Sequence, residues 1–331
     1  MKAKFDTVAI VTGAGGYIGS VLCRLLKEQN KYFVVAVENK LTNYKKLLEK
    51  NNFDDVIYSC FSSSQVLDYI RKNKNKKITV FHLAANSLLG PSYSMPLEYY
   101  KNNACRIMNL LEVLPNNSNF IFASTAAVYK NNNEVKTEES EIDPPNVYGS
   151  SKLFGEKIIE SFTRINNIHS MSFRFFNVIG AYTGACFYND LPQVTNQLYY
   201  HVVYGKPFKL FGNDYNTHDG TCVRDYVHVV DVCRAMIHAN EYMSQNESHK
   251  YAVYNLGTGK GYSVLELIKT FEQVTEKKVD YELAERRIGD PDYLVADGSA
   301  FVKNTGFEYN YSNSLEGMLS SFWNYRKLFG G

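Results

Sequence analysis

Tyr148 and Lys152 bound a Tyr-Gly-Ser-Ser-Lys run, and on a helix their four-residue spacing sets the phenol and the ammonium on one face. An ammonium beside a phenol stabilises the phenolate, which makes tyrosine a base able to take a proton from a hydroxyl. An ordinary phenol titrates near ~10, so each unit of depression requires about 1.4 kcal/mol of preferential stabilisation of the charged form. Among 26 tyrosines such a pair also arises as a solvated surface couple, so its meaning depends on what accompanies it. Upstream, Val11-Thr-Gly-Ala-Gly-Gly-Tyr-Ile-Gly19 places Gly13, Gly16 and Gly19 between an apolar run and a helical pattern. Glycines there let the backbone approach a pyrophosphate, and the helix amino terminus presents N–H groups and positive dipole to the phosphates. Glu38, 19 residues beyond Gly19, ends the next apolar run, where a carboxylate accepts from both adenosine ribose hydroxyls and repels a 2′-phosphate. NAD is favoured over NADP. Ser124 and Thr125 close the run Phe120-Ile-Phe-Ala-Ser-Thr, where a hydroxyl can bridge phenol and substrate.

Positioning these groups falls to an alternation of strands and helices. Thr7 to Thr12 is a short apolar run that stops at glycines, and Ile18, Val21, Leu22, Leu25 and Leu26 then recur at helical spacing. Further apolar runs at Phe33 to Val37, Ile78 to Ala84, Phe120 to Ala123 and Ser170 to Phe176 have helical stretches between them. The pattern predicts an α/β fold: a Rossmann-like, doubly wound parallel sheet with ligands beyond the carboxyl ends of its strands. After about residue 180 the rhythm breaks into glycine- and tyrosine-rich loops around helices. Residues 1–180 are therefore read as the NAD-binding domain and 181–331 as a smaller C-terminal substrate-binding lobe. Returns to the NAD-binding domain are expected near 223–235 and 251–272. Ser263-Val-Leu-Glu266 reads as a capping box that opens a helix running through Phe271.

Composition narrows the function classes. A chain of 331 residues that is 45% hydrophobic can bury a sizeable core, whereas a formal charge of 36 − 34 = +2 is too slight to imply a nucleic-acid or membrane-surface partner. No apolar run approaches the roughly 20 residues that span a bilayer, and Met1-Lys-Ala-Lys-Phe-Asp lacks a signal peptide's apolar stretch. A cytoplasmic location is expected. Cys23, Cys60, Cys105, Cys186, Cys222 and Cys233 are scattered without paired spacing, so neither a disulfide framework nor a metal site is expected.

Taken with Phe81-His-Leu-Ala-Ala85, Pro96-Leu-Glu-Tyr-Tyr-Lys-Asn-Asn103 and Arg174-Phe-Phe-Asn-Val178, these motifs resemble the extended short-chain dehydrogenase/reductases, and within them the UDP-hexose 4-epimerases. The segment from Phe211 to His228 and the run Arg286-Arg-Ile-Gly-Asp290 carry the substrate class. The resemblance implies that Tyr148 is the acid/base, Lys152 its partner on the nicotinamide ribose, and Thr125 the hydroxyl bonded to sugar O4. It implies NAD contacts at Gly13, Gly16, Tyr17, Ile18, Gly19, Glu38, Asn39, Leu83, Ala84, Ala85, Asn103, Ser124 and Phe175, besides Tyr148 and Lys152. It places the UDP-sugar at Asn177, Asn189, Phe211, Arg224, Arg287 and Asp290, with Leu294 beside the sugar 2-substituent. Two arginines suit a diphosphate, which they can hold by charge-assisted, often bidentate bonds. Relatives commonly form homodimers through two helices per subunit, here Tyr99 to Val113 and Tyr148 to Ile165.

Three positions depart from the family pattern: Cys60 stands where an adenine-reading aspartate is usual, Ser87 replaces a lysine, and Glu38 replaces the commoner aspartate. A 4-epimerase removes the proton of the 4-hydroxyl and the hydride of C4, lets the 4-keto sugar turn, and returns the hydride to the other face. A nucleotide-sugar 4,6-dehydratase of the same fold needs carboxyl groups beside the catalytic hydroxyl, where this chain reads Thr125-Ala126-Ala127. An enzyme acting on a UDP-uronate is a further chemical alternative. A non-catalytic NAD-sensing protein would be marked by a degenerate Tyr148 or Lys152, and both are intact.

Overall fold

The β-branched and small residues of β1 (Thr7–Thr12) are buried on both faces, as a central parallel strand requires. The computed structural model describes residues 5–185, 193–246, 250–287 and 289–329. Around β1 stand β2 (Tyr32–Glu38), β3 (Asp55–Tyr58), β4 (Lys77–His82), β5 (Asn119–Thr125) and β6 (His169–Phe175). Three strands, β7 (Asn177–Ile179), β8 (Phe208–Phe211) and β9 (Val223–His228), lie outside this sheet before β10 (Tyr251–Leu256) returns to it. The order is β3-β2-β1-β4-β5-β6-β10, with every pair parallel. The direction of winding reverses between β1 and β4, whose last residues Thr12 and His82 are register partners, and a ligand crevice opens at such a switch point.

Alternate residues of each strand feed two cores. Val8 and Ile10 point to one side with Val35, Ile107 and Ile159, while Ala9 and Val11 point to the other with Leu22, Phe81 and Met236. The sheet is flanked by α1 (Tyr17–Glu28), α2 (Leu41–Lys50), α3 (Ser64–Lys72), the short α4 (Leu89–Ser94) and α5 (Pro96–Tyr100), α6 (Ile107–Val113) and α7 (Val147–Ile165). Beyond β6 come α8 (Val194–Tyr204), α9 (Val229–Gln245), which packs against α1, and α10 (Val264–Thr275). They are followed by α11 (Ser299–Thr305) and α12 (Leu315–Phe329).

In the second half, β9 is the hub of a separate sheet. It pairs with β7 and β13 (Tyr293–Leu294) in parallel and with β11 (Gly261–Ser263) antiparallel, while β12 (Tyr281–Ala284) pairs with β8. Leu198, Phe271, Leu319 and Phe322 form the core behind it. The capping box at Ser263 and Glu266 is made in both directions and starts α10.

Two elements differ from the sequence pattern. The strand expected to reach Ala84 stops at His82, because Leu83 N donates to the Thr12 carbonyl (3.2 Å) and Ala84 N to the Thr12 hydroxyl (3.2 Å), which draws the chain across the end of β1. The continuous helix expected over Tyr99 to Val113 is interrupted by a π-helical turn at Lys101–Cys105. The wider turn carries the buried Asn103 carboxamide, which donates to the Asn86 carbonyl (2.9 Å) and the Ser151 hydroxyl (3.1 Å) and accepts from Asn86 N (2.8 Å).

Candidate active site

At the switch point the glycines make a backbone cradle. Gly13 has φ +69°, in the left-handed region, and a Cβ there would lie 3.0 Å from Ala84 N. A Cβ on Gly19 would lie 2.2 Å from the Gly13 carbonyl oxygen, so only glycine lets α1 come so close to the turn. α1 begins at Gly16 with no side-chain cap and no acid in its first turn, which leaves its positive end to an anion. Glu38 is 4% exposed and is fixed by backbone amides: Asn39 N and Lys40 N donate to Oε1 (2.9 Å each), and Gly15 N donates to Oε2 (3.1 Å). The cradle and the carboxylate fit an NAD adenosine diphosphate. Ile18, Asn39, Leu83, Ala84, Ala85, Ser124 and Phe175 line the same cleft, of about 1440 Å³.

Other expected contacts have different surroundings. Tyr17 lines the cleft while its hydroxyl donates to the Gly180 carbonyl (2.6 Å), tying α1 to the segment after β7. The Asn103 carboxamide is taken up behind the cleft wall, linking the loop after β4 to α7. Cys60 packs on the apolar core beside α3, its sulfur 3.4 Å from the Ser62 hydroxyl, and its neighbours Ser59 and Phe61 line the cleft instead. Ser87 lines the cleft from an exposed position.

The reaction centre is assembled where α7 meets the end of β5. Asn146 caps α7 by accepting from Gly149 N (2.8 Å). A Cβ on Gly149 would lie 2.1 Å from the Ala127 carbonyl, so the first turn of α7 presses on the 3₁₀ turn Ala126–Val128 that follows β5. This brings the Tyr148 phenol beside the Thr125 side chain, on the wall of the cleft. Lys152, 2% exposed, lies with Nζ 4.1 Å from the centroid of the Phe122 ring.

Burial dominates the titration of both groups. It pushes Tyr148 up to about 12, against the lowering by the Thr125 side chain, and it brings Lys152 down to about 7, against the raising by Glu156. The ammonium-stabilised phenolate expected from the spacing is therefore not what the protein groups alone produce: desolvation of each group outweighs the charges around it. His82 is brought down to about 3 by burial and by the Lys152 charge; it is neutral, and its Nδ1 is 2.8 Å from the Thr12 hydroxyl.

Across the cleft, Asp290 holds both arginines. Arg224 Nη2 donates to Oδ1 (3.2 Å) and Arg287 Nε to Oδ2 (2.8 Å), while the Arg287 guanidinium lies 5.1 Å from the Phe211 ring centroid. Leu294, on β13, is the register partner of Arg224 on β9, lines the cleft and packs partly buried against the apolar cluster that includes Ala126 and Phe176. Asn177 lines the cleft at the start of β7; Asn189 lies outside the described residues. The cleft also takes Tyr93, Phe176, Gln193, Gln197, Tyr226 and Arg286, none of them singled out from sequence. Phe176, Tyr226 and Arg286 stood inside recognised motifs; Tyr93 on α4, Gln193 before α8 and Gln197 on it lie where no spacing marks them.

The strand order, the glycine cradle and the Tyr148–Lys152 helix beside Thr125 define a dinucleotide-binding protein of the extended short-chain dehydrogenase/reductase kind. The chain belongs to the NAD dependent epimerase/dehydratase family, whose sequence model matches residues 9–257. It is 34% identical over 325 residues to the UDP-glucose 4-epimerase of Halalkalibacterium halodurans, covering 96% of this chain and 95% of that one. Among solved structures it is similar to the Stenotrophomonas maltophila UDP-glucose-4-epimerase with bound NAD and formylated UDP-arabinopyranose (TM-score 0.87, 27% identity, 97% and 98% of the two chains). It is likewise similar to the Bifidobacterium longum UDP-glucose 4-epimerase in complex with NAD+ and UDP (TM-score 0.83, 28% identity, 98% and 99%). Among the described residues no helix is long and apolar enough to cross a membrane, and no cluster of three or more His, Cys, Asp or Glu could hold a metal ion.

Proposed function

We propose that this chain is an NAD-dependent UDP-hexose 4-epimerase that interconverts UDP-glucose and UDP-galactose. The observation that carries the proposal is the meeting of Tyr148 with the Thr125 side chain at the end of β5, followed by Ala126 and Ala127, in a cleft continuous with the Arg224–Asp290–Arg287 cluster. NAD, when bound, supplies a reversible hydride acceptor for sugar C4. Tyr148 takes the proton of the 4-hydroxyl and gives it back, Thr125 orients that hydroxyl, and Lys152 supplies positive charge beside the phenol. Gly13, Gly16, Gly19 and Glu38 hold the dinucleotide. Arg224 and Arg287 grip the diphosphate, Phe211 and Asp290 the uridine side, so binding energy is concentrated on UDP and the sugar stays free to turn. A dehydratase would need acids where Ala126 and Ala127 stand, and they offer none.

Leu294 is smaller than tyrosine and apolar, so both plain and N-acetylated UDP-hexoses are proposed substrates. We further propose a cytoplasmic homodimer. Leu97 (80% exposed), Phe154 (53%) and Met108 (44%) form an apolar face on α5, α6 and α7, with the Tyr100 and Phe154 rings in edge contact at 6.4 Å. Incubation of the purified protein with UDP-glucose and separation of the products tests the activity. Sedimentation of Leu97→Glu/Phe154→Glu tests the dimer, which this pair of charges should dissociate.

A further inference from the structure

Glu156 stands one helical turn beyond Lys152 on α7 and is 2% exposed. Its carboxylate is fully engaged: the Ser124 hydroxyl donates to Oε1 (2.5 Å), and Arg174 donates through Nε to Oε1 (3.1 Å) and through Nη2 to Oε2 (2.8 Å). Arg174 is in turn braced by Tyr129, whose phenol oxygen accepts from Nη1 (2.9 Å) and whose hydroxyl donates to Asn255 Oδ1 (2.7 Å). Ser124 is the residue before Thr125. One buried carboxylate thus joins the strand end that carries Thr125 to the helix that carries Tyr148 and Lys152.

We propose that Glu156 is a positioning residue of the reaction centre, its charge one turn from Lys152 favouring the lysine's ammonium form and its hydrogen bonds locking β5 to α7 so that Thr125 meets Tyr148. The proposal rests on Lys152 serving the epimerase reaction, but the first test below does not. The protein groups that bear on Lys152 are few. From β4 comes His82, neutral throughout the working range; from β5, the uncharged Phe122 ring; from α7, Tyr148 and Glu156; and from β6, Arg174, already paired with Glu156. Among the described residues, Glu156 is then the one carboxylate placed to favour the charged lysine. A purely structural salt bridge between α7 and β6 would contribute rigidity but would leave the lysine's protonation to burial alone.

The test is the titration of Lys152 in protein labelled with ¹³C at lysine Cε, read by NMR and assigned with Lys152→Met. In Glu156→Gln, which keeps a hydrogen-bonding partner for Ser124, the Lys152 midpoint should fall by at least about tenfold in proton affinity, as loss of a nearby opposite charge requires. The alkaline limb of the kcat profile should move down with it, while the KM for UDP-sugar changes little. Glu156→Asp, which retains the charge, should restore both. Should Glu156→Gln not fold, Glu156→Met/Arg174→Met removes the pair without leaving an unpaired buried charge, and should lower the midpoint too. A Lys152 midpoint unchanged in a folded charge-removing variant overturns the proposal. If the midpoint falls but the wild-type protein epimerises nothing, the electrostatic assignment stands and the function fails.

Discussion

Tyr148 and Lys152 are one turn apart on α7, and burial opposes the charged form of both, raising the phenol to about 12 and lowering the ammonium to about 7. At neutral pH the phenol keeps its proton while the lysine is near its midpoint. In the proposed mechanism the base is made within the cleft when charge is placed beside the phenol, and Tyr148 is the group on which the proton moves. Tyr148→Phe is expected to lower kcat by on the order of 10² or more with UDP affinity nearly unchanged. Thr125→Ala, which removes the neighbouring hydroxyl but leaves the phenol, should be impaired less. Steady-state kinetics with a separate UDP-binding isotherm check both.

Stability should depend on pH in two windows. His82 and His228 are lowered to about 3 and about 4 by burial, whereas in the unfolded chain each titrates near ~6.5. Between those values the unfolded state binds protons that the folded state refuses, so stability falls as pH drops from about 6.5 towards 4. Lys152 acts in the alkaline direction: folded near 7 and unfolded near ~10.4, it makes stability rise with pH through that interval. Calorimetric Tm across pH checks this, with His82→Gln expected to flatten the acid slope and Lys152→Met the alkaline one.

The Arg224–Asp290–Arg287 cluster should govern affinity and not chemistry. Arg287→Ala is expected to weaken UDP binding by roughly 10- to 150-fold, the loss of a charge-assisted bond worth about 1.5–3 kcal/mol. Asp290→Ala should weaken it as well, by freeing both guanidinium groups from the geometry they share. Isothermal titration with UDP is the measurement; similar affinities in wild type and both variants would remove the diphosphate from this end of the cleft.

Leu294 is the residue on which substrate breadth is predicted to turn. Its side chain lines the cleft and packs against the apolar cluster that includes Ala126 and Phe176, so Leu294→Tyr should suppress turnover of UDP-N-acetylglucosamine selectively, by at least the roughly 1–3 kcal/mol typical of pocket-size discrimination, and spare UDP-glucose. Competition kinetics with the two substrates decides it; equal loss on both would assign the size limit to another residue.

The sheet and the glycine cradle were legible because local chemistry dictates them: apolar runs that stop at glycines, and a helix that cannot form so close to Gly13 with any side chain at Gly19. The π-helical turn at Lys101–Cys105 was not, since it exists to satisfy Asn103 through Asn86 and Ser151, 17 and 48 residues away. Nor could spacing alone show that Lys152 would lie against Phe122, or that burial would outweigh the lysine's charge on the phenol. Both depend on how deeply α7 sinks against β5, which Gly149 and Gly155 allow: a Cβ on Gly155 would lie 2.9 Å from the Phe122 ring. Gln193, Gln197 and Tyr93 reach the cleft only through the packing of α8 and α4, so no sequence periodicity points to them.

The most direct measurement is incubation of the purified protein with UDP-glucose and NAD, with products resolved by chromatography and NADH followed by absorbance at the same time. Conversion to UDP-galactose up to an equilibrium mixture, approached equally from UDP-galactose and without net NADH, is the predicted result. A 4-keto-6-deoxy sugar as the main product, or NADH released in proportion to sugar consumed, would contradict it.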